Sequence, residues 1–381
     1  MKKLLLILSL IWSIFLVGRA QPEIIDIDLK AVTDVTILSQ QITKSAKTDL
    51  EKVTNIYQWL IKNINYDQKA YKNGNRRINR SNADILKRKK AICWGYASLF
   101  KAMCEAVNIP CEVISGYGKT TIGQVPDLES PNHAWNAVKI DSNWRLLDAT
   151  WDSGTIGNMS LFEQKFGYTY FLPPANYFIV NHLPANPDWQ LLDCPISTVD
   201  YRLTADKIVA LAAKTDCEKD NELPQFERLN IHEKRITTAT KAYQYNPTKA
   251  NERELAYAQL DYEAYLTEIA ERLQVAKNYD SLLIVQSAMM QLCETAEALT
   301  ELYDTQLENC AYNFFNYAVA LTQKTSNDRQ SSLENWQAVL AYLKKAAARL
   351  EKLPQNMFTK NALANCANYI QYAEENIVAL K

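Results

Sequence analysis

The sequence predicts an α+β protein: a core built on a small antiparallel sheet, followed by an all-α helical domain. Three observations carry that expectation. Alternating positions run through 133–140, where His133, Trp135, Ala137 and Lys139 share one face and Ala134, Asn136, Val138 and Ile140 the other. Six of the eight tryptophans, and most of the twelve prolines, lie between the apolar N-terminal run and residue 200. Beyond residue 200, apolar residues recur at helical spacing over long stretches.

The elements follow in order. Met1-Lys2-Lys3 precedes an apolar run at 4–17, and Gly18-Arg19-Ala20 supplies the small residues that signal peptidase requires. We therefore expect a signal peptide at 1–20 and a secreted or periplasmic mature chain. The run is short for a bilayer span, so no stable transmembrane segment is expected after processing. The mature chain is expected to divide into 21–200, the sheet-containing domain with a Pro-rich extension, and 201–381, a helical bundle or helical-repeat-like domain.

Residues 92–107 read as a helix, with Leu99, Met103, Ala106 and Val107 near one stripe and Asn108-Ile109-Pro110 ending it. Residues 111–116 read as a strand, 117–131 as a polar loop, and a second strand begins at His133. Asp141-Ser142-Asn143 is a hairpin turn whose return strand ends at Asp148. Five prolines at 173, 174, 184, 187 and 195 mark 172–198 as an ordered wrap or linker. Helices are then expected at 205–213, 251–275, 281–305, 307–322 with an interruption near Asn309-Cys310, 332–353 and 361–380. No exact 34-residue repeat is visible.

This order puts chemistry into a small space. Cys93 falls in the first turn of its helix, where unpaired backbone N–H groups favour a thiolate and can donate to an oxyanion. Neighbouring antiparallel strands present His133 and Asp148 side by side, which fixes the imidazole tautomer and leaves its other nitrogen for Cys93. Each residue alone has a blander role: a buried small thiol, a satisfied histidine, a turn cap. Together, in this order, they read as a cysteine triad.

The blocks Cys93-Trp94-Gly95-Tyr96, Asn132-His133-Ala134-Trp135 and Trp144-Arg145-Leu146-Leu147-Asp148 also resemble the transglutaminase-like superfamily. The upstream Tyr57-Gln58-Trp59-Leu60 and Tyr66-Asp67 segments agree. Tyr177-Phe178, His182-Leu183-Pro184 and Asp188-Trp189 resemble the extension of the subgroup related to kyphoscoliosis peptidase. The resemblance covers roughly 45–195 and implies a papain-like core with Cys93 as nucleophile, His133 as general base and acid, and Asp148 as orienting carboxylate. Ala91-Ile92 stands where the family usually has Gly-Val.

Supporting candidates are weaker. Tyr66 is a candidate second oxyanion donor beside the Cys93 backbone N–H. Trp94 is bulky and adjoins the nucleophile. Trp135 is expected to pack the sheet against the cysteine helix, and Asn136, which faces away from His133, to be structural. Asp152 reads as a turn residue. The eight cysteines show no compact disulfide framework and, with three histidines, no zinc cluster; no metal site or cofactor is expected.

Charge limits the partners. The chain has 42 basic and 43 acidic residues, and loss of Lys2, Lys3 and Arg19 leaves 39 against 43. Nucleic acid is not the expected partner. A basic stretch containing Arg76, Arg77, Arg80, Lys87, Arg88, Lys89 and Lys90 precedes the cysteine helix; it reads as a solvated loop, or as a steering surface for an acidic substrate. The expected substrate is a polypeptide or peptide-containing cell-envelope polymer, with protein or glycan contact through the helical domain. The expected activity is that of a cysteine peptidase or amidase working through an acyl-enzyme. A crosslinking transglutaminase and an inactive binding scaffold are the alternatives.

Overall fold

A computed structural model describes residues 33–72, 81–120, 125–153, 169–217, 222–324 and 328–381. The expected signal peptide and Arg76, Arg77 and Arg80 lie outside these. Two helices open the core, α1 (Val35–Ile42) and α2 (Asp49–Asn63). Thr48 and Glu51 form a reciprocal capping box at the start of α2, satisfying two otherwise orphaned N–H groups. The face of α2 bearing Val53, Ile56, Tyr57 and Leu60 is fully buried. A short parallel pair follows, β1 (Asn65–Tyr66) with β2 (Lys90–Ala91), enclosing α3 (Gln68–Lys72) and α4 (Asn82–Arg88).

The cysteine helix is α5 (Cys93–Glu105). It buries Tyr96, Leu99, Phe100 and Met103 against α2 and the sheet. Strand β3 (Cys111–Gly118) then pairs antiparallel with β4 (His133–Ile140), and β4 with β5 (Asn143–Leu147). The β4–β5 hairpin closes through Asp141 and Ser142, both at positive φ, the backbone of a two-residue type I′ turn. Short helices α6 (Ala149–Asp152) and α7 (Ala175–Phe178) follow.

The segment 172–198 departs from expectation. Inside it, β6 (His182–Pro184) pairs antiparallel with β3, completing a four-stranded sheet of order β5-β4-β3-β6. As an edge strand it tolerates Pro184, which has no N–H to donate.

The second half is helical: α8 (Ala205–Ala212), α9 (Leu223–Glu227), α10 (Ile231–Tyr245), α11 (Lys249–Val275), α12 (Tyr279–Leu299), α13 (Asp304–Leu321), α14 (Arg329–Leu350) and α15 (Met357–Leu380). From α10 onward each helix packs principally on its neighbours in sequence, as in a helical stack. The interruption expected near Asn309-Cys310 instead lies at residues 300–303; Cys310 is mid-helix, buried, and bonded to Cys293. A second disulfide joins Cys194 to Cys217. Of the helical-domain aromatics, Phe314 is fully buried, whereas Tyr303, Tyr312 and Tyr372 are exposed.

The halves share polar contacts and a core. Glu112 on β3 takes Lys101 at 2.5 Å and Lys234 of α10 at 2.6 Å. Asn246 and Asn251 both donate to the Tyr117 hydroxyl at 2.9 Å. Ala242 packs in one cluster with Tyr117, Tyr201 and Ile208. Among the described residues no helix is long and apolar enough to cross a membrane.

Candidate active site

Two glycines make room for the site on the central strand β3. A Cβ at Gly116 would lie 2.4 Å from the Trp135 ring and 2.3 Å from the Leu183 carbonyl oxygen. A Cβ at Gly118 would stand 3.1 Å from the His133 Cβ and 3.3 Å from the Trp151 ring. The bare backbone there lets the His133 and Trp135 side chains lie down across β3.

Cys93 is half-buried at the first position of α5, and Ile92 before it supplies no side-chain cap. The first-turn N–H groups are therefore free of side-chain capping and gather at the sulfur's end of the helix. His133, buried, opens β4, and its Nε2 lies 2.7 Å from Asp148 Oδ2. That leaves Nδ1 for Cys93, whose sulfur helps to hold the imidazole charged. The Trp151 ring stacks on His133 at 4.9 Å between centroids.

Asp148 reaches His133 by leaving the strand. In the β4–β5 register Leu147 faces Asn136, so a continuing strand would place residue 148 opposite Trp135, two positions from the histidine. Instead Asp148 caps α6: Oδ1 accepts from Thr150 N at 2.8 Å and Trp151 N at 3.2 Å, while Oδ2 turns to His133. The cap and the orienting carboxylate are one group.

Electrostatics follow from this burial. For His133, burial favours the neutral ring, but the charge and hydrogen bond of Asp148, aided by Cys93, override it and raise the pKa to about 10. For Asp148, burial opposes ionisation, yet His133 and then His182 hold the carboxyl well below the usual carboxylate range. The geometry favours an imidazolium paired with an ionised carboxylate, the form that can stabilise a thiolate.

Other candidates separate. Asn136 donates to the Ala97 carbonyl at 2.9 Å and the Glu112 carbonyl at 3.2 Å, pinning α5 to the sheet. Trp135 corrects the expectation that it packs against the cysteine helix: it is buried on the other face of the sheet with Phe178, Trp189 and Phe226, its ring 5.8 Å from His133 and 5.0 Å from His182. Trp94 is 41% exposed beside the nucleophile. Tyr66 is buried, paired through β1 with Ala91, its ring 6.0 Å from Tyr71. Asp152 is a correction to the turn reading: it is buried, accepts from Tyr57 Oη at 2.6 Å and Tyr170 N at 3.0 Å, and burial raises its pKa to about 6.

Sequence reasoning missed His182 as a site residue. It is fully buried on β6, with Nε2 3.0 Å from the same Asp148 Oδ2. The signal available was the scarcity of histidine, three in the chain, and the His182-Leu183-Pro184 block.

His133, Asp148 and His182 offer three ligand atoms within 4.8 Å of one another, as do Cys194, Asp216 and Cys217. Both sulfurs of the latter group are spent in a disulfide. In the former, both Nε2 atoms point at the carboxylate oxygen itself, and the 2.7 Å separation is that of a charge-assisted hydrogen bond.

Comparison with known proteins covers this region. The family profile of the transglutaminase-like superfamily matches residues 36–149, which contain Cys93, His133 and Asp148. The human protein named kyphoscoliosis peptidase is 37% identical over 183 residues, 46% of this chain and 28% of that protein. The Caenorhabditis elegans Lim and transglutaminase domain protein ltd-1 is 27% identical over 191 residues, 45% of this chain and 25% of that protein. These alignments thus span about a quarter of the relatives' own length. A solved structure titled as that of a TGase aligns over 52% of this chain and 56% of its own, at 18% identity and a TM-score of 0.26.

Proposed function

From the premise that this chain carries a transglutaminase-like domain related to the kyphoscoliosis peptidase subgroup, we propose that it is an exported cysteine-dependent amide or peptide hydrolase. The observation that carries the reading is the 2.7 Å bond from His133 Nε2 to buried Asp148, which leaves Nδ1 for Cys93 at the start of α5. The Cys93 thiolate attacks an amide carbonyl, and the first-turn N–H groups of α5 receive the oxyanion. The imidazolium of His133 gives its Nδ1 proton to the departing amine as the C–N bond breaks. Water then gives a proton to His133 and its oxygen to the acyl carbon, which releases the acid and frees Cys93. Asp148 holds the ring and its charge throughout.

Export is supported by the N-terminal leader pattern and by two disulfides, which suit an oxidising compartment. The substrate would be a polypeptide or peptide-bearing cell-envelope polymer, with the helical stack contacting protein or glycan. With an amine in place of water the same acyl-enzyme would give crosslinking. The test incubates mature protein and Cys93→Ala with a peptide mixture, with and without a primary amine, and reads products by mass spectrometry. Cys93-dependent cleavage or deamidation supports hydrolysis, and amine incorporation replaces it with transfer. Identical products from both proteins would overturn the enzyme reading in favour of a binding scaffold.

A further inference from the structure

Asp148 Oδ2 is shared by two imidazoles, one of which the triad does not use. His182 is sealed away from substrate. Its ring stacks on Phe178 at 4.1 Å with 20° between planes, and Trp151 lies at 4.2 Å, Trp135 at 5.0 Å and Tyr170 at 5.1 Å. The ring is thus clamped on several sides, with Nε2 aimed at the carboxylate and Nδ1 at the Asn181 side chain, 2.8 Å away. Strand pairing sets the aim: His182 lies opposite Gly118 on one edge of β3, and His133 opposite Gly116 on the other.

The chemistry of the carboxylate chooses the tautomer. An ionised Asp148 only accepts, so a bare Nε2 at 3.0 Å would set lone pair against lone pair in a buried site. Nε2 must therefore carry the proton. Nδ1, beside the Phe178 backbone, is then served by the Asn181 NH2 once that amide is turned by half a rotation to give its oxygen to the Tyr170 hydroxyl. Burial, reinforced by His133 across the shared oxygen, lowers the His182 pKa to about 4 and keeps the ring neutral.

We propose that His182 is a positioning residue for the triad: its Nε2–H donates to Asp148 Oδ2, fixes the carboxylate's rotation and withholds part of its charge from His133. With two backbone N–H donors on Oδ1 and two imidazoles on Oδ2, the four lone-pair directions of the carboxylate are filled. The group cannot turn without breaking a bond. Sharing Oδ2 also caps how strongly Asp148 raises the basicity of His133, and a base held too basic returns its proton poorly. Among the described residues, the titratable and charged groups around the pair include Cys93, Tyr57, Tyr96, Asp152 and Tyr170.

The inference rests on the triad reading, but its test does not depend on turnover. With only three histidines, imidazole 15N resonances of the full mature chain can be assigned by single substitutions. We expect His182 in the wild type to be protonated at Nε2 across pH 5–9. His182→Phe keeps an aromatic ring in the clamp and removes the donor; the His133 titration should rise by about one unit. His182→Gln, which can return an N–H near the Nε2 position, should restore the His133 titration most of the way. A His182 protonated only at Nδ1, or a His182→Phe protein that folds and leaves the His133 titration unmoved, overturns the proposal. If His182→Phe does not fold, the wild-type tautomer and His182→Gln decide it. Absence of any peptide product would sink the hydrolase reading and leave these resonances as they are.

Discussion

Asp148→Asn separates the two jobs that one carboxylate performs. Asparagine can keep Oδ1 on the Thr150 and Trp151 N–H groups, 2.8 and 3.2 Å away, so the cap of α6 and its contribution of about 1 kcal/mol are retained. Nδ2 then replaces Oδ2 and presents N–H groups to two ring nitrogens that now face a carboxylate oxygen at 2.7 and 3.0 Å. Each charge-assisted bond contributes about 1.5–3 kcal/mol and is exchanged for a neutral one or for a donor–donor clash. The net loss of stability at pH 7 should be about 2–4 kcal/mol. The larger effect is on the base. His133 can accept from Nδ2 only by carrying its own proton on Nδ1, toward Cys93, the tautomer that cannot take a proton from the thiol. Burial, no longer opposed by a charge, should also bring the imidazole from about 10 to below its ordinary 6.5. Any Cys93-dependent hydrolysis at pH 7 should fall about 10³- to 10⁴-fold, the scale of the same change in a serine triad, and alkylation of Cys93 about 10- to 100-fold, because an unpaired thiol is still a few per cent thiolate. Iodoacetamide kinetics from pH 5 to 10, read by intact mass beside urea unfolding, measure both effects. If the variant loses stability but alkylates at the wild-type rate with the wild-type pH dependence, Asp148 is a helix cap and the triad argument is wrong.

Four further outcomes follow from the same geometry. Because the folded His133 pKa is raised, its stabilisation is complete below about 6.5, declines above that, and is gone once pH has passed about 10; urea midpoints of His133→Gln and wild type should converge in that window. Asp152 is an acid whose folded pKa is raised from 3.8 to about 6, so ionising it costs stability at neutral pH. Asp152→Asn, which retains acceptors for Tyr57 and Tyr170, should be about 1–3 kcal/mol more stable at pH 8, with the gain vanishing below pH 4. Glu112→Ala leaves Lys101 and Lys234 without their shared partner; about 1–3 kcal/mol should be lost, and hydrogen exchange in α10 should quicken before that in β4. Gly118→Ala should slow Cys93 alkylation, because the added methyl presses on the His133 Cβ and the Trp151 ring, while exchange protection in β3 is largely kept.

The parts of this fold that were legible are those whose signals are local. The helix starting at Cys93 showed in its apolar spacing, and the hairpin in period-two alternation around Asp141 and Ser142, which the structure places in the left-handed region. Helix α10 was not foreseen, because its buried positions are small residues, Ala239 and Ala242, set among polar ones. The break between α12 and α13 was misplaced because residues 300–303 contain neither glycine nor proline, whereas polar Asn309 drew attention to a point where Cys310 is held by Cys293.

The same distinction explains why the candidate residues Cys93, His133 and Asp148 were legible and His182 was not. Cys93, His133 and Asp148 each begin or end a regular element, and element boundaries leave marks in sequence. His182 sits on a strand of three residues, too short for any period to register, amid prolines that argue against a strand at all. Its pairing partner Gly118 is 64 residues earlier, and the pairing is fixed by tertiary contacts: Ala185 N donates to the Ser115 carbonyl and Lys119 N to the Asn181 carbonyl, each at 2.9 Å. Asp148 shows the converse. Its sequence position fits a cap and fits an orienting carboxylate, and the structure joins the two where β5 ends and α6 begins. A carboxylate has two oxygens, and leaving β5 at Leu147 is what lets Oδ1 serve the helix while Oδ2 serves the imidazoles. The backbone N–H bonds that hold α6 therefore also set the direction of the bond to His133, which couples the fold of this short turn to the proton transfers expected at Cys93.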